Sequence, residues 1–430
     1  MAEPGPPRTS SGSTEVVATE VATVLEKPAF SVVATMALAQ FGLYVGLMAP
    51  VTVSLALKTQ TIVGPDRAPS VNANVLAVAV LVAMVANPVF GRLSDRTMSR
   101  FGRRRPWIVG GAIAFLLSLG VVATAKSVPI LLIGWCLAQM AASAIMAAVV
   151  ATVVDQVPSR QRGSVSANLG AMQSLGVLGA AYVGEWFVDN MFALFVVPGV
   201  FALVVLVLYA VVLPDRQLPV RPPAADWRTL LRTFWVNPRQ YPDFAWAWLS
   251  RLLLVLSVYL FVLFRFFYLQ KEIGLSTREA AAAMSTGVLI FTVALMITAK
   301  LGGWLSDQLG RRKMFVVVAT LVFAAGLAIL AHASTVTGFY VAEVVLGVGY
   351  GVYVAVDSAL VIAVLPSAAE SAKDLGVMNI ANALPQSLAA VLGSALLSVG
   401  AGDNYPVLLW SAGAIGVLAA LTILPIRSVR

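Results

Sequence analysis

Four glutamines, Gln40, Gln139, Gln173 and Gln386, each fall about ten residues into a long apolar stretch, near mid-depth at about 1.5 Å per helical residue. An amide presents donors and an acceptor without carrying charge, which suits a neutral ligand rich in hydroxyls. Tyr44, Tyr353, Asn379 and Asn382 lie in the same kind of sequence and would extend the set, the tyrosines adding faces for stacking. The competing reading of each amide is a hydrogen bond between neighbouring helices. Charges also occur within apolar sequence, where they are costly and normally face an interior. Arg251 follows Asp243 by eight residues and Asp357 precedes Pro366 by nine, which gives them matching depths of about 12–14 Å from one boundary. Glu343 lies nearer the other boundary, as a gate residue or an interfacial anchor, and is the next candidate for proton coupling after Asp357. His332 is the single histidine, at the end of an apolar stretch, and reads as a solvated side chain. With one histidine and one cysteine, Cys136, no metal site of familiar spacing is expected. No nucleophile triad or phosphate-binding glycine loop is visible either, so the chain does not read as an enzyme.

The elements that carry these residues follow from composition. The chain has 430 residues, 59% hydrophobic and 11% charged, with a mean hydropathy of +0.88. Soluble domains run at roughly 45–50% apolar and about 25% charged. A soluble enzyme, a secreted disulfide scaffold and a disordered chain are therefore excluded. A membrane-spanning helix takes about 20 apolar residues, so roughly twelve spans fit this length. Apolar segments recur at 29–57, 71–90, 107–125, 129–154, 164–184 and 191–213, then at 244–269, 280–301, 314–331, 337–364, 375–399 and 405–426. The expected fold is an all-α membrane protein of twelve transmembrane helices in two six-helix bundles, 29–213 and 243–430. A polar, disordered tail (1–28) precedes them, and a linker (214–242) with an amphipathic stretch at 226–235 joins them.

Basic residues set the orientation, because basic loops translocate poorly. With the N-terminus inside, inner segments hold 22 of the 29 lysines and arginines and outer loops hold 5, counting Lys58 among the latter. Both termini are thus expected in the cytoplasm, with the chain in the cell's inner membrane. The excess of Lys+Arg (29) over Asp+Glu (20) reads as this loop charge and not as a nucleic-acid surface.

The two halves repeat. Gly91-x-x-x-Asp95-Arg96, then Gly102-Arg103-Arg104, follows the second span, and Gly303-x-x-x-Asp307, then Gly310-Arg311-Arg312, follows the eighth. Pro158 and Pro366 end fourth spans, and Gly163 to Gln173 and Gly376 to Gln386 cover equal steps, each glutamine opening Gln-Ser-Leu. In this doubled loop the glycine would allow close helix approach and the aspartate would face the positive end of a neighbouring helix. The arginines would anchor to lipid phosphate and to carboxylates such as Asp155. Together these residues read as a conformational latch that holds the inward face closed.

The doubled loop resembles the signature of the major facilitator superfamily. The long first copy, Gly91 to Trp107, with Gln40 to Val51 and Leu375 to Gly393, is similar to the sucrose-transporter and glycoside–cation symporter branch. The sequence departs from plant-type members at Ala37 and Val150, where those carry arginines. The resemblance implies alternating access between two halves, with a sugar or glycoside bound near the midplane and movement driven by a proton or cation gradient, without a cofactor. It also places spans seven and ten at the central cavity, where Arg251 and Asp357 can meet, either as a static packing pair or with Asp357 taking up a proton. Export of drugs or lipophilic metabolites is the alternative. The expected partners are a small-molecule substrate and the lipid bilayer, with the chain acting as a monomer.

Overall fold

The computed structural model describes residues 30–215, 237–364, 371–400 and 403–427. The expected tail, the stretch at 226–235 and Pro366 lie outside the described residues, and Lys373 and Gly376 are described as backbone only. All regular structure among the described residues is helical. The first half contains Phe30–Val63, Ala68–Asp95, Arg105–Thr124, Val128–Gln156, Ser159–Trp186 and Met191–Val212, here spans one to six. The second contains Pro242–Val262, Thr277–Leu309, Arg312–Ala331, Val336–Ala363, Ser371–Leu397 and Tyr405–Ile423, spans seven to twelve, with a short helix, Arg265–Lys271, continuing span seven. Among the described residues, eleven helices are long and apolar enough to cross a membrane. Span five is long enough but opens with Arg160, Gln161, Arg162, Ser164, Ser166 and Asn168, which lowers its hydropathy. The chain is a multi-pass membrane protein.

Several helices overrun their apolar segments, because hydrogen bonding at their ends continues where hydrophobicity stops. Span two runs through Asp95 and span four through Asp155, so both carboxylates are on helices and not in loops. Span eight starts at a capping box, with Ser276 and Glu279 bonded reciprocally, and stops at Gly310, whose φ of 61° is the left-handed conformation that a helix terminus favours. Span one continues past residue 57 through a wide turn at Pro50–Ser54. Pro50 has no N–H to give and its ring crowds the preceding turn, so the ladder widens and the Leu55 N–H donates to the Pro50 carbonyl. Lys58 is therefore buried in a helix and not in an outer loop, its Nζ donating to the Ala123 carbonyl at 2.7 Å.

Packing repeats with the sequence. In the first half span one packs on five and six, two on four, and three on four and six; adding six to each number gives the packing of the second half. The halves meet where span two packs on eleven and span five on eight, a pair of contacts related by the same symmetry. Large apolar side chains such as Leu117, Val211 and Val293 remain on the outside, as hydrocarbon requires.

Candidate functional site

The side bearing the doubled loops is called the basic side here, and the opposite one the far side. Polar contacts between the halves cluster on the far side. Gln60 Nε2 donates to Gln270 Oε1 at 2.7 Å, Lys271 pairs with Asp66 at 3.1 Å, Arg278 pairs with Asp189, and the Ser285 hydroxyl donates to Glu185. Deeper, the Ser387 hydroxyl donates to the Ala77 carbonyl at 3.0 Å. Asp403, at 3.0 Å, and Asp66 hold the Lys271 ammonium above the ordinary lysine range. A cation raised in this way keeps its stabilisation below its unfolded value and loses it only as pH rises through the folded one. The Lys271 ammonium therefore keeps its charge, and its share of the far-side contact, at neutral pH and loses it only under strongly alkaline conditions.

On the basic side, Arg103–Asp155, Arg104–Asp95 and Arg312–Asp307 each close within one half. Gln173, Asn379 and Asn382, at mid-span on spans five and eleven, are exposed. Polar contacts between the halves on the far side, with the basic-side pairs closing within each half, fit a central cavity shut on the far side and open on the basic side.

Within it, Arg251 of span seven meets Asp357 of span ten through both its Nε, at 2.9 Å, and Nη2. Two donors on one carboxylate fix the guanidinium in place, and both residues are largely buried. The Tyr353 hydroxyl lies beside the pair, within electrostatic reach of both charges but without a well-directed hydrogen bond. Tyr353 stacks on Tyr350 at 6.1 Å. Tyr259 of span seven lies within electrostatic reach of Tyr350 and of Tyr44 from the first half, so tyrosines from both halves come near one another.

The amides separate into two groups. Gln173, Asn379 and Asn382 are exposed, Asn379 and Asn382 falling with half-buried Gln386 on one stripe of span eleven at spacings of three and four. Gln40, Gln139 and Tyr44 are buried within the first bundle. Among the described residues no hydrogen bond joins two of the four glutamines; Gln386 Nε2 returns to the Asn382 carbonyl of its own helix at 3.4 Å.

The first doubled loop is a compact charge cluster. Arg103 grips Asp155 with both carboxylate oxygens at 2.7 Å, and Arg104, buried, reaches Asp95 at 2.6 Å, Asp155 at 3.0 Å and Ser94 Oγ at 2.8 Å. Both arginines meet carboxylates, Asp155 among them. The carboxylate at a helix N-terminus is not Asp95 but Asp215, which accepts from the backbone N–H groups of Arg104 at 2.6 Å and Arg105 at 2.8 Å. Arg96 follows span two, its N–H returning to Leu93. In the second loop Arg312 meets Asp307 at 3.3 Å, and Arg311 precedes span nine. The close approach expected at Gly91 and Gly303 is not seen with the basic side open: an added Cβ would meet only Ala147 at 3.9 Å and Ala355 at 3.5 Å. Gly102 is different, since its φ is 103° and a Cβ would lie 2.3 Å from the Asp215 carboxylate. Gly102→Ala is expected to cost about 1–3 kcal/mol, seen as a lower thermal midpoint in detergent, while Gly91→Ala leaves the midpoint in place. Asp95→Asn is expected to lower transport in vesicles without preventing insertion.

Glu343 is not an interfacial anchor. It is fully buried and 2.8 Å from Arg265, which also lies over the Phe261 and Phe339 rings. Arg265, Asp215 and the Glu185–Ser285 bond were not anticipated. The signal for Arg265 was present: it follows Arg251 by the same fourteen residues by which Asp357 follows Glu343. His332 is exposed, its ring edge-on to Trp410.

Comparison with known proteins gives these features a family. The sequence profile of the Major Facilitator Superfamily matches residues 29–302 and 285–429. A triacylglyceride transporter of Mycolicibacterium smegmatis is 27% identical over 303 residues, 58% of this chain and 52% of that protein. An uncharacterized symporter of Synechocystis sp. is 48% identical over 44 residues, 10% of this chain and 8% of that protein. The chain thus spans about half or less of these curated relatives. A variant of the nucleoside transporter NupG superposes with a TM-score of 0.72 at 12% identity, covering 92% of this chain and 99% of that one. A bacterial homologue of the human lysosomal transporter Spinster, solved inward-facing and unoccupied, gives 0.66 at 13% identity, covering 92% and 98%. At these identities the likeness shows the fold.

Proposed function

Because the chain belongs to the major facilitator superfamily, we propose that it is a secondary transporter that moves a small neutral, hydroxyl-bearing molecule, a sugar or glycoside, by alternating access coupled to protons. The observation that carries this reading is the Arg251–Asp357 pair, largely buried in the second half, together with the exposed uncharged amides of Gln173, Asn379 and Asn382 at mid-span, which supports a cavity edged by those amides. Uncharged amides can bind hydroxyls of either hydrogen-bonding sense, and a carboxylate paired with arginine can exchange its partner for a proton. In the cycle, water from the far side protonates Asp357 once that side opens. The neutral acid releases Arg251, whose guanidinium then turns to the cargo. On the basic side the proton leaves to water and the pair re-forms.

The basic side corresponds to the cytoplasm of the cell membrane, by the excess of lysine and arginine there. In the first doubled loop, Asp95, Arg103, Arg104 and Asp155 lock spans two, three and four of the first half, and the two loops meet when the basic side closes. A second reading, a transporter of lipophilic cargo, is favoured by the relative in Mycolicibacterium smegmatis, whose name specifies triacylglyceride. A thermal-shift panel on purified protein separates the two. Sugars or glycosides are expected to raise the midpoint, and stabilisation by lipophilic compounds alone would overturn the sugar assignment in favour of the second reading.

A further inference from the structure

The Arg265–Glu343 pair lies outside the cavity and has no part in the cycle above, yet its placement is systematic. Spans seven and ten run antiparallel, and their charges match rung for rung. Arg251 pairs with Asp357; fourteen residues later on one chain segment and fourteen earlier on the other, Arg265 pairs with Glu343, with Tyr259 and Tyr350 near each other between them. Along span ten, unbroken from Glu343 to Asp357, fourteen helical residues are about 21 Å, so the two rungs reach across most of a hydrocarbon core of about 30 Å. The lower rung borders the cavity open on the basic side, and the upper rung sits under the closure on the far side.

The upper rung is buried and poorly satisfied. Both Glu343 oxygens and Arg265 Nη2 lack a well-directed hydrogen bond, although the charged atoms are 2.8 Å apart. Among the described residues Arg265 is the charged group that faces Glu343, and the other neighbours of Arg265 are the Phe261 and Phe339 rings and Gly287. Gly287 of span eight is two residues from Ser285, whose hydroxyl bonds Glu185 of the opposite half. The pair is thus one layer behind a contact that must break when the far side opens.

We propose that Arg265 and Glu343 form a far-side checkpoint, in which only the ionised pair permits far-side closure and a proton on Glu343 holds that side open. The reason is charge balance. When the halves part behind Ser285, water reaches Glu343 and a proton from the far-side solution can convert its carboxylate to the acid. Arg265 keeps its own proton, so re-closing would bury an unpartnered guanidinium, which is strongly unfavourable. Loss of the Glu343 proton back to far-side water restores the pair and allows closure. Acid on the far side therefore biases the protein toward the far-side-open form, in addition to loading Asp357. The proposal rests on the alternating-access reading but is measured without cargo or flux.

The test is a distance across the far side, between spin labels at Lys126→Cys and Ser334→Cys in a Cys136→Ala background, in lipid at neutral and acid pH. The parent protein is expected to show a short distance at neutral pH and a growing long-distance population in acid. Glu343→Gln is expected to be long at both values, an open-to-closed shift on the order of a hundred-fold. Adding Arg265→Gln removes both charges and returns the short distance at both, which also shows that the single variant is folded. Asp357→Asn should keep the acid response. A Glu343→Gln protein with the parent's distances and pH response would overturn the checkpoint, as would an acid response lost in Asp357→Asn and kept in Glu343→Gln. Failure of the transport reading would appear instead as absence of flux with these distances unchanged.

Discussion

Asp357→Asn is expected to abolish accumulation driven by a pH gradient in proteoliposomes while substrate exchange continues. The asparagine keeps the shape of the carboxylate but cannot cycle between charged and neutral forms, so cargo still crosses with no proton linked to it. The change also leaves Arg251 without its counter-charge in a largely buried site, and breaking a buried pair from one end costs about 3–5 kcal/mol. A lower thermal midpoint is therefore expected alongside the transport defect. Arg251→Gln in the same protein removes the orphaned charge and should restore the midpoint without restoring accumulation. Recovery of both together would make the pair a packing element. Undiminished accumulation by Asp357→Asn alone would remove it as the coupling carboxylate.

The second large effect belongs to the glycines of span ten. Added Cβ atoms at Gly347 and Gly351 would fall 2.6 Å from the Phe291 carbonyl oxygen and 2.5 Å from the Leu295 carbonyl oxygen of span eight, and at Gly349 2.6 Å from the Phe323 nitrogen of span nine. These neighbours are backbone and cannot rotate away. Small residues four apart let membrane helices approach closely, and that approach is what packing in lipid depends on. Gly351→Leu is expected to eliminate the folded, monodisperse protein on size-exclusion chromatography. Gly303→Ala, with only Ala355 at 3.5 Å, should elute as the parent does. Normal elution of Gly351→Leu would show that spans eight and ten tolerate separation.

Much of this architecture was legible because hydrocarbon imposes simple rules. Apolar runs marked the spans, and the doubled Gly-x-x-x-Asp loops marked the two-fold repeat that the helix packing follows. Arg251 and Asp357 could be matched by depth, since each can be counted along an unbroken helix from the same boundary, the start of span seven and the end of span ten. Arg265 and Glu343 escaped the same argument because Arg265 lies past the break after Val262, where depth can no longer be counted along one helix. Helix ends were misjudged wherever a cap or a glycine, as at Ser276 and Gly310, extended the ladder beyond the apolar run. The partner of Asp95 was hidden because loop geometry, fixed by Gly102 and Asp215, decides which side chain reaches which helix end. The direction of opening depends on small differences between two packings of the same helices, and no local pattern encodes it.

Alternation of access around the amide-edged cavity is the central claim, and cysteine accessibility measures it directly. Gln173→Cys, Asn379→Cys and Asn382→Cys, each in a Cys136→Ala background, would be exposed to a membrane-impermeant thiol reagent from one side at a time in sealed vesicles of known orientation. The account predicts modification from the basic side at rest, and modification from the far side only during turnover with a transported substrate. Ready modification from the far side at rest, or from neither side under any condition, would contradict it.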